Sequence, residues 1–299
     1  FNAYHFAIGD TSYEMSKLQS STLSLGDIRM AKSLRYPSAK SPDGHNYLSP
    51  QQKELVEFGY GHDDTTQKRQ HCFGLLSPGE GKSEVYIIPT IARRIGNQRS
   101  KMIIHVSPYN FLALYQSNNA TTAFDKVGFG TSICTCIFTG GDINVGLLPD
   151  ELSNKEDLPN ILFLNLDALF NLFTFHFETF KSWIDVMDKI VIDEVHTFLT
   201  ELSFREKYQV YWRLAVLGIP IVALSGSVPL FILSKFAMRL CLSRDKQMND
   251  IKIIQGGVLF GHFPHGFRIK FSVTPRYIYQ VASFAIHRVH EGVGAVHIF

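Results

Sequence analysis

The sequence predicts an α/β fold built on a mostly parallel central sheet. Apolar segments of strand length alternate with segments of helix length along the chain, as in a sheet whose parallel strands are joined by crossover helices. A glycine-rich turn that ends in Gly-Lys-Ser at residues 81–83 joins one such strand to the start of a helix. An Asp-Glu pair at residues 193–194 follows another buried strand, at the edge where open α/β sheets hold their ligands.

Length and charge limit the possible classes of protein. The 299 residues, 45% of them hydrophobic, suffice for one large or two modest domains with a sizeable core. The net charge is +2 and the isoelectric point is near 8.3. A nucleic-acid site must therefore come from local basic and aromatic groups, because the overall charge leaves the partner undecided.

The cysteines and the apolar runs bear on the redox compartment of the protein and on whether it spans a membrane. The four cysteines lack the paired Cys/His spacing of a zinc site, and we expect reduced thiols in an intracellular compartment. The longest apolar stretches, residues 161–166 and 219–224, have the length of strands and are too short to span a bilayer. No membrane partner is expected.

Residues 76–84 predict a site for a nucleoside triphosphate. Around Gly79 and Gly81, backbone N–H groups can point at an anion beside the positive end of a helix. Lys82 can reach the β- and γ-phosphates, and the Ser83 hydroxyl can ligate Mg²⁺.

The segment departs from the full phosphate-loop pattern at one position. Leu76 stands where the first glycine of that pattern belongs. Glu80 and Glu84 lie within the segment and are included among the predicted nucleotide-binding residues. The alternative is a chance Gly-Lys-Ser on an ordinary turn.

The remaining elements follow from the hydrophobic pattern. Residues 1–50 are mixed and Ser-rich, and they predict an accessory segment with a short helix at 27–34. A second helix is predicted over 51–58. Further along, the pattern predicts helices at 83–95, 111–116 and 170–180, and buried strands at 101–108, 130–138, 160–165, 189–192 and 219–224.

The strand at 189–192 is followed by three residues that predict hydrolytic chemistry, Asp193, Glu194 and His196. Asp193 can hold Mg²⁺ through water, and Glu194 can polarise the water that attacks the γ-phosphate. His196 is placed to report the state of the nucleotide to neighbouring segments. Paired acids after a buried strand are common, but together with Gly-Lys-Ser upstream they indicate a nucleotide hydrolase.

Two hydroxyl residues end the strand at 219–224. Ser225 and Ser227 can hydrogen-bond Glu194 or His196 and so transmit hydrolysis to other segments. The alternative is a turn in which a serine starts the next helix.

Taken in their order along the chain, the motifs resemble those of the first motor lobe of RecQ-type DNA helicases, the DExH class of superfamily 2. The resemblance covers about residues 70–299. The most discriminating group is Phe204-Arg205-x-x-Tyr208. The whole segment looks like the RecQ-like helicases of fungal subtelomeric or mobile elements. The matching residues are the phosphate loop, Val106-Ser107-Pro108 with Leu112 and Gln116, Asp193-Glu194-Val195-His196, Phe204-Arg205-x-x-Tyr208 and Ser225-Gly226-Ser227.

The resemblance implies a domain plan and a location. Residues 51–260 would form a RecA-like ATP-binding lobe of the P-loop NTPase type, with residues 1–50 as the accessory segment. Residues 261–299 would begin a second RecA-like lobe. The protein would be nuclear.

The resemblance also implies ATP and Mg²⁺ as cofactors and DNA as the partner. Arg205 and Tyr208 would couple DNA occupancy to hydrolysis, although each could be an ordinary ion pair or buried ring. Single-stranded DNA would contact Ser107, Pro108, Thr139, Gly140 and Gly141 through hydroxyl and backbone groups, largely without sequence preference.

Helicases of this class often place an adenine-reading glutamine upstream of the phosphate loop. Gln52, Gln67 and Gln70 all qualify, and Gln67 is counted among the predicted nucleotide-binding residues.

Two departures from the family affect the expected activity. The loop at 197–203 is one residue shorter than the aromatic-rich loop of the family and has no tryptophan. The arginine finger of this class lies late in the second lobe, and such a group is worth about 10³ to 10⁵ in rate. We therefore expect this chain alone to bind nucleotide but to turn it over poorly.

Two other classes of function are compatible with the sequence. A degenerate nucleic-acid-binding remnant would bind without catalysis, although Lys82, Asp193 and Glu194 argue against it. A P-loop enzyme acting on a small molecule or a protein would show no stimulation by DNA.

Overall fold

A computed structural model of the protein describes most of the first 256 residues. The chain divides into a unit of residues 1–257 and a unit of residues 258–299, and every described residue lies in the first. The described residues are 25–36, 47–58, 71–96, 101–139, 148, 150–201, 206–215, 217–226, 233, 237–238, 240 and 251–256.

In this part of the chain seven strands form a single sheet in the order β3-β4-β2-β5-β6-β1-β7. Every neighbouring pair is parallel, so the prediction of an α/β fold with a mostly parallel sheet is confirmed. The strands are β1 (His71–Leu75), β2 (Met102–Ser107), β3 (Thr135–Phe138), β4 (Ile161–Asn165), β5 (Met187–Ile192), β6 (Ile221–Ser225) and β7 (Ile251–Gln255).

Helices connect the strands and flank the sheet. None of the described helices combines the length and the apolar character that a bilayer crossing requires. The α-helices are α1 (Leu25–Arg35), α2 (Pro50–Phe58), α3 (Glu84–Ile95), α4 (Asn110–Lys126), α5 (Asp150–Ser153), α6 (Leu166–Phe175), α7 (Phe177–Ser182), α8 (His196–Glu201) and α9 (Val210–Ala215), with short 3₁₀ helices at Ile184–Val186 and Glu206–Gln209.

Alternating side chains of the strands supply two hydrophobic cores. In β6, Ile221 and Ala223 pack on one face with α6, α7 and α9, whereas Val222 and Leu224 pack on the other with α1 to α4. Because helices cover both faces, the strands read as continuous apolar runs.

The strand order explains where a ligand can bind. The strands β2, β5, β6 and β1 are consecutive neighbours, and all four point the same way. The segments that follow their carboxyl ends therefore meet at one edge, outside the helix layers. Those segments begin at Pro108, Asp193, Gly226 and Leu76.

Several predicted boundaries were wrong. The strand predicted at 130–138 begins only at Thr135, because the preceding residues form turns in which Ser132 and Ile133 both donate to the Phe129 carbonyl. The helix predicted at 170–180 is broken at His176, where φ is −130° and ψ is 31°. The helix predicted at 111–116 extends over residues 110–126, and β7 was not predicted. The predicted start of a second lobe at 261–299 lies outside the described residues.

Candidate nucleotide-binding site

Two glycines with positive φ shape the loop between β1 and α3, the predicted phosphate-binding loop. Gly79 and Gly81 have φ angles of 84° and 75°, which residues with a side chain rarely adopt. A Cβ on Gly81 would also lie 2.0 Å from the Gln52 amide nitrogen. The positive φ therefore favours glycine at position 81, and a side chain there would also have to displace the Gln52 amide.

Lys82 folds back over this loop. Its Nζ donates to the Leu76 carbonyl at 3.0 Å, while the Glu80 carboxylate accepts from the Ser77 N–H at 2.5 Å. The Lys82 charge favours the ionised forms of both Asp193 and Glu194, although burial raises the pKa of Asp193 overall. The ammonium group therefore lies within electrostatic reach of the paired acids.

A single side chain links the loop to the paired acids. The Ser83 hydroxyl donates to the Gln116 Oε1 at 3.2 Å, and the Gln116 Nε2 donates to the Asp193 Oδ2 at 3.3 Å. The predicted metal-binding residues Ser83 and Asp193 thus lie at one site, although 110 positions separate them in the sequence. Gln116, on α4, was part of the resemblance but was not predicted as a site residue.

Asp193 is buried, and its neighbour Glu194 has an uncommon backbone conformation. The Asp193 backbone N–H donates to the Val106 carbonyl at 2.8 Å, and the Asp193 Oδ1 accepts from the Glu194 N–H at 2.9 Å. Glu194 has a φ of 45°, a conformation that costs about 1–3 kcal/mol and marks functional positions. Burial raises the pKa of Asp193 to about 6, and the Glu194 charge contributes to this rise.

Glu194 has the opposite electrostatic environment. A hydrogen bond with His196 lowers the pKa of Glu194 and outweighs the effect of burial. The His196 Nδ1 lies 3.2 Å from the Glu194 Oε2 and 3.1 Å from the Ser225 Oγ. The contact between Ser225 and His196 is one of the two that the sequence suggested, and Ser227 lies outside the described residues.

Behind Asp193 lies a histidine that the sequence reading missed. His105 on β2 is fully buried, with its Nε2 3.9 Å from the Asp193 Oδ2 and its Nδ1 3.5 Å from the Ser107 Oγ. Burial lowers the pKa of His105 to about 3, so the ring is neutral at physiological pH. The only available signal was a polar residue inside an apolar strand.

Of the candidate adenine-reading glutamines, Gln52 contacts the loop. Its Nε2 donates to the Gly81 carbonyl at 3.3 Å and its Oε1 accepts from the Leu48 N–H at 2.7 Å. These contacts hold the start of α2 against the phosphate loop. Gln67 and Gln70 lie outside the described residues.

Glu84 has a different place from the one predicted. Its side chain is almost fully buried against the N-terminal segment, where its Oε1 accepts from the Tyr36 hydroxyl at 2.5 Å and lies 3.3 Å from the Arg35 Nη2. The Glu84 carboxylate therefore links α3 to the end of α1, and it does not point toward the phosphate loop's binding site. Its partner Tyr36 lies 48 residues upstream, which no local pattern could reveal.

The predicted nucleic-acid contacts need a similar correction. Ser107 and Pro108 are buried at the end of β2, so a direct contact from the Ser107 side chain is not available. Thr139 is partly exposed just after β3. Gly140, Gly141 and Arg205 lie outside the described residues.

Tyr208 is a fully buried ring, which was the alternative considered for it. It packs edge-on against Phe198 and Tyr211, and its hydroxyl donates to Glu201 at 3.1 Å. Glu201 also accepts a hydrogen bond from Tyr109. The carboxylate at the end of α8 thus joins the residue that precedes α4 to the segment around Tyr208.

The fold and the site together define a helicase domain of RecA-like architecture. Residues 50–233, more than half of the chain, match the family model of the DEAD/DEAH box helicases. The chain belongs to the DEAD/DEAH box helicase family. No curated protein sequence matches it significantly.

Solved structures share the fold. The crystal structure of the DUF1998 helicase MrfA bound to DNA is similar with a TM-score of 0.54 and 16% identity, over 79% of this chain and 30% of that one. Mss116p bound to single-stranded RNA and AMP-PNP is similar with a TM-score of 0.55 and 15% identity, over 77% of this chain and 43% of that one. The chain therefore spans less than half the length of either helicase.

Proposed function

We propose that the chain is the first motor lobe of an ATP-dependent DNA helicase of RecQ type, which binds ATP with Mg²⁺ and couples hydrolysis to unwinding in a longer protein. The observation that carries the proposal is that Ser83 and Asp193 meet at Gln116 at the strand ends, with the Lys82 charge acting on Asp193 from the adjoining loop.

The donor set at this edge fits a magnesium–nucleotide complex. Mg²⁺ prefers oxygen ligands and is usually bound through one or two carboxylates together with substrate phosphates. Ser83 and Asp193 offer a hydroxyl and a carboxylate, and the N–H groups of the loop would hold the phosphates. A bound Mg²⁺ would neutralise charge on the phosphates during their transfer.

The paired acids have environments suited to different roles. Because its pKa is lowered, Glu194 is ionised at neutral pH and can accept a proton from an attacking water. His196 can orient that carboxylate through its Nδ1, which lies 3.2 Å from the Glu194 Oε2 and also contacts the Ser225 Oγ. Lys82 supplies a positive charge for the β- and γ-phosphates when it leaves the Leu76 carbonyl.

Two lines of support favour nucleic acid as the partner. MrfA has been solved with DNA and AMPPNP, and Mss116p with single-stranded RNA and AMP-PNP. The Phe204-Arg205-x-x-Tyr208 group after the acid pair is the feature that favours a RecQ-like protein, and hence DNA. The segments at residues 76–83 and 224–229 support our proposal of an origin in fungal subtelomeric or mobile elements. The unbridged thiols of Cys72 and Cys134 are compatible with the intracellular, nuclear location that we propose with it.

The test is ATP hydrolysis by a chain extended through a complete second lobe, with and without single-stranded DNA or RNA. We expect stimulation by single-stranded DNA, and more by DNA than by RNA. Nucleotide binding without hydrolysis, in the presence or absence of either nucleic acid, would instead identify a silent remnant. Hydrolysis that neither nucleic acid changes would identify a nucleotide hydrolase of another class.

A further inference from the structure

Gln116 contacts three residues of the candidate site at once. Its Oε1 accepts from the Tyr86 hydroxyl at 2.8 Å and from the Ser83 hydroxyl at 3.2 Å, and its Nε2 donates to the Asp193 Oδ2 at 3.3 Å. The side chain projects from α4, while its partners lie on α3, on the phosphate loop and after β5. No other described side chain hydrogen-bonds both Ser83 and Asp193.

The neighbours determine which way the Gln116 amide points. A carboxylate can only accept, so the amide nitrogen must face Asp193, and the carbonyl oxygen then faces the two hydroxyls. The reversed amide would place its oxygen against the carboxylate. Tyr86 reinforces this choice, because its ring is fully buried and packs edge-on against His105 with centroids 4.9 Å apart.

This orientation has a consequence for each of the two oxygen donors. The Ser83 hydroxyl gives its hydrogen to Gln116, which leaves its lone pairs available for a cation. The Asp193 carboxylate is fixed at both oxygens, by the Glu194 N–H on Oδ1 and by Gln116 on Oδ2. Both side chains are therefore oriented before a metal arrives.

We propose that Gln116 is a positioning residue for the magnesium–nucleotide complex, acting through the hydroxyl of Ser83 and the carboxylate of Asp193. The proposal rests on the proposed function, since it presumes that these two residues take part in binding the metal. Residues that hydrogen-bond metal ligands commonly change metal affinity by about 10–100-fold when they are replaced.

A variant can separate this role from ordinary packing. Gln116→Met keeps the length and approximate volume of the side chain but can neither donate nor accept strongly. Loss of positioning weakens nucleotide binding only when the metal takes part, whereas a general packing defect weakens it in the presence and in the absence of metal. Asn119→Ala, at an exposed position on the same helix, is the matched control.

The experiment measures the affinity of a fluorescent ATP analogue for the chain across a Mg²⁺ titration and in EDTA. For Gln116→Met we expect the Mg²⁺ midpoint to rise by about 10–100-fold, with affinity in EDTA unchanged. Tyr86→Phe, which removes only the hydroxyl that steadies the amide, should raise the midpoint less and add nothing when combined with Gln116→Met. Asn119→Ala should behave as wild type.

Two results would overturn the inference while leaving the proposed function intact. One is an unchanged Mg²⁺ midpoint in Gln116→Met, and the other is an equal loss of affinity with Mg²⁺ and in EDTA. A wild-type chain whose nucleotide affinity does not depend on Mg²⁺ would overturn the proposed function, and this inference with it.

Discussion

Replacing Asp193 with asparagine tests how burial affects the ionisation of this carboxyl group. Burial and the Glu194 charge raise the pKa of Asp193 from 3.8 to about 6. Because the folded-state pKa lies above that of the unfolded chain, the contribution of Asp193 to stability is fully present below about pH 4 and is lost as the pH rises through about 6. At about 1.36 kcal/mol for each unit by which the two pKa values differ, the rise from 3.8 to about 6 amounts to a loss of about 3 kcal/mol at pH 7.

The assay is urea unfolding of the nucleotide-free wild type and of Asp193→Asn across this pH range. Asparagine has nearly the same shape and does not titrate, so the difference in free energy of unfolding, variant minus wild type, isolates Asp193. Loss of one acceptor for Gln116 or for the Glu194 N–H adds an offset that does not depend on pH. We expect the difference to rise by about 3 kcal/mol between about pH 4 and pH 7, with the urea slope unchanged.

The sign of the pH dependence decides the outcome. A difference that stays flat would show that the carboxylate is solvated, and a difference that falls with pH would show that Asp193 belongs to a stabilising ion pair. Either result would refute the burial argument. Asp157→Asn, at an exposed position, is the matched control for the substitution itself.

Three further substitutions separate the roles of the other site residues. Lys82→Ala should abolish ATP binding in a fluorescence titration without changing the unfolding transition, and undiminished affinity would count against the assignment of the phosphate loop. Glu194→Gln, in a chain extended through the second lobe, should preserve nucleotide binding but suppress phosphate release, so unchanged turnover would remove Glu194 from the mechanism. Glu84→Gln leaves Arg35 without its charged partner and should lower the free energy of unfolding by about 1–3 kcal/mol, while nucleotide affinity is retained. Lost nucleotide affinity with unchanged stability would instead show that Glu84 contributes to nucleotide binding.

The chemistry that was predictable from sequence lies in short contiguous motifs. Gly79 to Ser83 specify a turn conformation and a set of donors within five residues, and Asp193 with Glu194 follow directly from a buried strand. Such signals are local, because the glycine φ angles and the end of a strand depend on few neighbours. The order of the strands then brings the two motifs together.

What could not be predicted depends on contacts between distant segments. Gln116 meets Asp193 across 77 residues, and Glu84 meets Tyr36 across 48. Both residues are polar side chains on helices, a pattern shared by many solvated positions, and only the packing of the helices decides their partners. For the same reason Tyr208 could be read either as a coupling residue or as a buried ring until its surroundings were known.

The role of the N-terminal segment also emerged only from packing. Residues 25–36 carry no motif, yet α1 lies against α3, and the end of this segment supplies Arg35 and Tyr36 to the buried Glu84. Glu84 directly follows Ser83 in the chain. The segment therefore packs against α3, the helix that follows the phosphate loop.

The most direct test of the account is a crystal structure of the chain with Mg²⁺ and a non-hydrolysable ATP analogue. We expect the phosphates in the loop at residues 76–83 and the metal bound by the Ser83 hydroxyl at about 2.0–2.1 Å, with the Asp193 carboxylate contacting it directly or through a water. A nucleotide bound elsewhere, or a metal whose surroundings exclude either Ser83 or Asp193, would contradict the assignment of this edge as the ATP site.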